Sequence, residues 1–101
     1  MYKILLKELN LSKNKISDIK VLEKVKFDKL EILKLDGNEI SDINSLEHVN
    51  LKELKELNLS KNKISDIKVL EKVIFDKLEI LKLNGNQIEN NKYSSIIFLY
   101  L

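Results

Sequence analysis

The sequence predicts an α/β solenoid, a stack of parallel coils around one shared apolar interior, and the prediction rests on three observations. Residues 6–40 recur as residues 54–88 with only Lys26 changed to Ile74, Asp36 to Asn84 and Glu39 to Gln87, an offset of 48. Inside each copy a second period of 24 sets Asn14, Asn38, Asn62 and Asn86 in register. Each period also carries a short alternation of apolar and polar residues, the pattern of a strand with one buried face. Self-similarity at this spacing is the mark of an array in which no unit can bury its apolar face alone.

The strand comes first in each unit. Leu9-Asn10-Leu11, Leu33-Lys34-Leu35, Leu57-Asn58-Leu59 and Leu81-Lys82-Leu83 point both leucines one way and the polar residue the other. Stacked in parallel at about 4.8 Å, four such strands make a short sheet. The chain must then bend away, leaving backbone groups that the sheet no longer pairs. An asparagine side chain both donates and accepts. Asn14, Asn38, Asn62 and Asn86 are therefore read as structural, a ladder of amides bonded to main-chain groups that would each cost about 1 to 3 kcal/mol if left buried and unpaired. Gly37 and Gly85, in Asp36-Gly37-Asn38 and Asn84-Gly85-Asn86, mark the same turn.

Beyond the bend, Ile16, Ile19, Leu22 and Val25 recur every third residue, which suits a tight helical turn with one buried edge. Ser17 or Asp18 is placed to cap it by accepting a backbone N–H, and Ser41-Asp42 and Ser65-Asp66 repeat the arrangement. Phe27, Leu51 and Phe75 fall one period apart and are expected to stack as a spine in the return segment.

The motif Leu6-x-x-Leu9-x-Leu11-x-x-Asn14-x-Ile16 and its echoes ending at Ile40, Ile64 and Ile88 resemble the leucine-rich-repeat family, with Ile in the last position. The continuation Ile16-Ser17-Asp18-Ile19-x-x-Leu22 resembles the subclass of bacterial internalins and type-1 phosphatase regulatory subunits. The resemblance covers Leu6 to Ile88. It implies a right-handed coil with a short parallel sheet on the concave face, short helical turns on the convex face, and protein binding as the usual activity. The whole chain, 1–101, is read as a single domain with units at about 6–29, 30–53, 54–77 and 78–101, the last incomplete.

Composition bounds the chemistry. With 44% hydrophobic and 34% charged residues the chain is ordinary for a soluble globular domain, so disorder by composition is excluded. Formal charge is +2 and every basic residue is Lys, so the planar fork that reads guanine or phosphate is missing and no nucleic-acid partner is expected. No stretch is long and apolar enough to suggest a membrane partner. Cysteine is absent, which removes disulfides and thiolate metal sites and fits an intracellular, cytoplasmic setting. His48 is the sole histidine, placed on the outer side as a solvated residue. No catalytic constellation, metal site or cofactor is expected, and the chain is not read as an enzyme.

What remains is the concave face, whose outward positions are Glu8, Asn10 and Ser12; Ile32, Lys34 and Asp36; Glu56, Asn58 and Ser60; Ile80, Lys82 and Asn84. Ile32 and Ile80 stand where the alternate units carry Glu8 and Glu56, so two apolar anchors separated by one intervening unit, flanked by Lys34 and Lys82, are the expected contacts for an unknown protein partner. A face of this size offers roughly a few hundred Å², short of the roughly 800 Å² per side of a standard interface, so loops or edges must contribute. The competing reading is a structural unit that self-associates through uncapped ends. Ile96 to Leu101 is uncharged and rich in strand formers, fit to cap the last coil or to join a homo-oligomer, with Ile97 and Leu99 pointing inward. At the other end, Tyr2, Ile4 and Leu5 suggest a cap or an added strand.

Overall fold

In the computed structural model, which describes residues 2–88, the chain is a solenoid of short strands and 3₁₀ turns. The strands are β1 (Tyr2–Ile4), β2 (Glu8–Asn10), β3 (Val25–Phe27), β4 (Ile32–Lys34), β5 (Glu56–Asn58) and β6 (Ile80–Lys82). β2, β4, β5 and β6 form one parallel sheet in sequence order, in the register Leu9↔Leu33, Leu33↔Leu57 and Leu57↔Leu81. That register matches the repeat period, because a slip of one residue would turn every leucine outward. Leu33, Leu57 and Leu81 are buried while their neighbours along the strand face out, the alternation a half-buried strand requires.

The sheet continues past the strands by main-chain bonds of the same spacing. The N–H groups of Leu11, Leu35 and Leu59 donate to the carbonyls of Lys34, Asn58 and Lys82, each at 2.9 Å. Leu35, Leu59, Ile40 and Ile64 are then fully enclosed. Burying one such side chain is worth about 1.5 to 3 kcal/mol against leaving it in water.

On the convex side the three-residue periodicity becomes 3₁₀ turns η1 (Lys20–Lys24), η2 (Asn44–His48) and η3 (Lys68–Glu71). Each is entered through an aspartate: the Oδ1 atoms of Asp18, Asp42 and Asp66 accept the N–H groups of Lys20, Asn44 and Lys68 at 2.8, 2.8 and 2.9 Å. Asp, rather than Ser17 or its copies, accepts the entering N–H, from the position just before the N-caps Ile19, Ile43 and Ile67, whose own side chains make no capping bond.

The N-terminal segment adds a strand: β1 pairs in parallel with β3, Tyr2↔Val25 and Ile4↔Phe27, making a two-stranded sheet on the return side. The identical stretch Lys-Val-Leu-Glu-Lys-Val at 20–25 and 68–73 therefore folds in two ways. Beside β1, η1 runs straight into the extended Val25; η3 ends a residue sooner, at Lys72 in a helical conformation. Val21 is 63% exposed while Val69 is 5% exposed. Phe27 and Leu51 are buried, but Phe75 is only half-buried, so the expected return-side spine weakens at the third coil, where no strand holds residues 73–77 extended. The expectations for Asn91, Ser94 and the closing run Ile96 to Leu101 lie outside the described residues.

Candidate functional site: the concave face

The asparagine ladder fixes the shape of this face. Asn62 is 6% exposed; its Nδ2 donates to the carbonyls of Leu35, Leu59 and Ser60 at 3.0, 3.1 and 3.2 Å, and its Oδ1 accepts the Ile40 N–H at 3.0 Å. One amide thereby ties its own coil to the coil before it. Asn38 repeats the set with the Leu11, Leu35 and Asp36 carbonyls and accepts from both Asn14 and Ile16 N–H. Asn86 donates to the Leu59 and Leu83 carbonyls and accepts from Ile64. Asn14 departs from the series. It is exposed and its side chain donates only to the Ser12 carbonyl, because no coil precedes it among the described residues to offer a second acceptor.

Between strand and ladder sits a turn with a left-handed residue: Lys13, Gly37, Lys61 and Gly85, at φ of 58°, 68°, 56° and 74°. Glycine takes this conformation freely and lysine does not. The alternation has a packing cause, since a Cβ on Gly37 would stand 3.0 Å from Lys13 Cγ, and one on Gly85 would stand 3.2 Å from the Lys61 backbone nitrogen. A lysine is therefore followed by a glycine in the next coil.

The alternation carries across the whole concave face. In the lysine-bearing coils Asn10 and Asn58 fold back, their Oδ1 atoms accepting the N–H of Ser12 and Ser60 at 3.0 and 3.1 Å, with the serine hydroxyls also within donating distance. The Ser12 hydroxyl lies equally close to Asp36 Oδ1 in the next coil, at 2.7 Å, and its single proton serves one acceptor at a time. Ser60 is buried, and this corrects the sequence expectation that it faces a partner: adjacent coils cover it and its hydroxyl turns to Asn58.

The other positions spread unevenly. Glu8, Asn10, Ile80, Lys82 and Asn84 are exposed; Ser12, Ile32, Lys34, Asp36, Glu56 and Asn58 are half-buried. Ile80, at 42% exposure, is the more accessible of the two isoleucines, while Ile32 is flanked on both sides by Glu8 and Glu56 in strand register. Main-chain bonds anchor the strand entries: the N–H groups of Lys55 and Glu56 both donate to the Glu31 carbonyl, at 2.7 and 3.0 Å.

Rows of opposite charge flank the sheet, each pair joining neighbouring coils. Lys55 meets Glu31 at 3.6 Å, Lys63 meets Glu39 at 3.8 Å and Lys77 meets Glu53 at 2.9 Å. The hydrogen bond and charge of Lys77 hold the Glu53 carboxyl below its usual range, and Glu53 in turn raises Lys77. On the return side His48, exposed at the end of η2, borders a shallow groove of about 330 Å³ with Glu47, Lys52, Lys72 and Ile74. Among the described residues no three potential metal-ligating side chains converge, and no helix is long and apolar enough to cross a membrane.

Parallel strands repeated once per coil, turned by a buried amide ladder and returned through 3₁₀ turns, define a solenoid repeat protein of the leucine-rich kind. Comparison with known proteins agrees. A model described as two copies of leucine-rich repeats matches residues 4–48, and a single leucine-rich repeat model matches residues 51–67. The chain belongs to the leucine-rich-repeat family. It is similar to the crystal structure of an internalin, inlF, from Listeria monocytogenes, with a TM-score of 0.74 and 38% identity over 90% of this chain. The chain spans 25% of the length of that internalin. A search of the curated proteins found no match.

Proposed function

We propose that the chain is a protein-recognition scaffold whose concave strand face, with Ile80 and Lys82 as its most accessible anchor, contacts a partner protein. The observation that carries this reading is the exposure of Ile80 on a sheet face whose neighbouring outward positions are polar or charged. A single apolar anchor ringed by polar residues is the usual anatomy of a contact patch. The two-coil alternation sets Ile32 and Ile80, and likewise Lys34 and Lys82, about 9.6 Å apart along the sheet. A partner matched to the face carries apolar groups at that spacing beside carboxylates. Binding rather than catalysis is the proposed activity, since the face gathers no nucleophile, base or acid in hydrogen-bonding contact with one another beyond the structural pairs already described.

The test compares proteins retained from extracts by the immobilised chain with those retained by two variants. Ile80→Glu on the concave face loses a bound protein by about tenfold or more in affinity, as loss of a central anchor does. Glu47→Lys, on the convex side, retains it. Equal retention by all three chains contradicts the concave assignment.

A further inference from the structure

The N-terminal edge of the sheet is built as the receiving half of a coil junction that already exists inside the molecule. Coil 1, residues 6–29, differs from coil 3, residues 54–77, at one position, Lys26 against Ile74. Coil 3 is seated on coil 2, and there Leu54, Leu57, Leu59 and Ile64 are all at 0% exposure. In coil 1 the same four side chains are Leu6, Leu9, Leu11 and Ile16; Leu6 is 38% exposed and the others half-buried. The backbone registers the difference too. Lys63 N–H donates to the Ile40 carbonyl of the preceding coil at 2.8 Å, whereas its counterpart Lys15 takes a left-handed φ of 58°.

The donating half is also present, because residues 78–88 repeat residues 30–40 of coil 2 with only Asp36 changed to Asn84 and Glu39 to Gln87. We infer that the β2 edge of one chain receives the β6 edge of a second copy, head to tail, so that the junction between coils 2 and 3 is reproduced between molecules. On the strand side each contact follows by translation of the internal one, while on the return side β1 already lies against Val25–Phe27 in the place of a preceding coil. Lys7 and Glu8 N–H donate to the Glu79 carbonyl of the second copy, as Lys55 and Glu56 do to Glu31. Asn14 gains the Leu83 carbonyl that it lacks, as Asn62 holds that of Leu35 at 3.0 Å. Lys13 meets Gly85, preserving the order glycine then lysine that coils 2 and 3 show. Lys7 faces Glu79 as Lys55 faces Glu31; the Lys63–Glu39 and Lys77–Glu53 pairs have no charged equivalent, since Gln87 and Leu101 stand at the positions of the acids.

Such a contact is heterologous and does not close on itself, so it yields open-ended chains rather than a symmetric dimer. The inference is independent of the concave-face function, which needs only one molecule.

The experiment exploits the absence of cysteine. Chains carrying Glu8→Cys and chains carrying Ile80→Cys are mixed and oxidised, and the unaltered chain is weighed in solution across a thousandfold range of concentration. The inference expects mass rising with concentration and a mixed disulfide between the two variants, since Ile32 and Glu56 are direct partners in the internal register. Glu8→Cys with Lys82→Cys, two residues out of register, cross-links far less. Leu6→Glu, at an already exposed position, keeps the circular dichroism of the fold and raises the dissociation constant by about tenfold or more, because it sets a charge on the apolar seam. A monomer at every concentration overturns the inference, and so does predominant pairing of Glu8→Cys with itself, which would mean two N-terminal edges facing each other.

Discussion

At the scale of single residues, position in the stack decides what a side chain contributes. Asn62 and Asn14 are the same residue in the same motif, yet one bridges two coils and the other reaches only its own turn. Asn62→Ala strands the buried Ile40 N–H and takes one of two donors from each of the Leu35, Leu59 and Ser60 carbonyls, so it is expected to destabilise the fold by about 2 kcal/mol, while Asn14→Ala and His48→Ala stay within about 0.5 kcal/mol. Urea melts of the three variants check this; equal losses would remove the ladder's structural role. The left-handed turn gives a second expectation. Gly37→Ala forces a side chain into φ of 68° against Lys13 and costs about 1 to 2 kcal/mol, whereas Lys61→Gly relieves strain about as large as the chain entropy it adds and leaves the melting midpoint nearly unchanged.

Much of this residue-level picture was legible in the sequence. The leucines that alternate with polar neighbours and the amide at the bend announce their roles by period and chemistry. Ser60, Asn14 and the left-handed lysines were not legible, for a common reason. Their environment is made by the coil beside them, and a repeat motif states what a residue is without stating which neighbours the stack supplies.

At the scale of elements the same limit shows in η1 and η3, where one hexapeptide has two endings because only the first lies beside an added strand. Apolar residues at the N-terminus signalled that strand; its effect on the next turn was not foreseeable without the pairing. Lys3→Pro removes a donor from β1, and is expected to speed amide exchange at Val25 to Phe27 while sparing β4 and β5. Unchanged protection there would show that the pairing does not hold β3.

The inter-coil ion pair Glu53 and Lys77 belongs to this scale as well. Its carboxyl is held low, so what it adds is present above the ordinary carboxylate range and disappears as pH falls through the folded value. Lys77 is held high, so its share is complete below the ordinary lysine range and disappears as pH climbs through the folded value. Between those limits both groups are charged. Side-chain carboxyl titration by NMR is expected to show the Glu53 midpoint moving up in Lys77→Gln, and moving up in the native chain as salt screens the pair. Both groups are exposed, so the pair tunes the junction more than it secures it.

At the scale of the whole molecule, stability is a sum over coils and the junctions between them. Leu57, enclosed between neighbours, is expected to cost about 2 to 5 kcal/mol on replacement by Ala, and Leu9, half-buried at the end of the stack, clearly less. Amide protection is expected to peak in β4 and β5 and decline toward β2. A flat profile would mean that the coils unfold as one unit with no weaker end. The solenoid and its period are plain from the amino-acid order alone, since four aligned motifs leave few other folds. Which concave positions face solvent is not, because crowding between facing rows depends on side chains that lie a full coil apart along the chain.

The lysine and glycine that trade places from coil to coil carry a consequence for how such an array grows. Duplication or loss of a single coil would bring two lysines together at the bend, or two glycines, and the first of these crowds a Cβ against the turn below. A step of two coils keeps the order intact. Copying in pairs is thus written into the steric grammar of one turn, and the near-identity of the two halves of this chain is what such a history leaves behind.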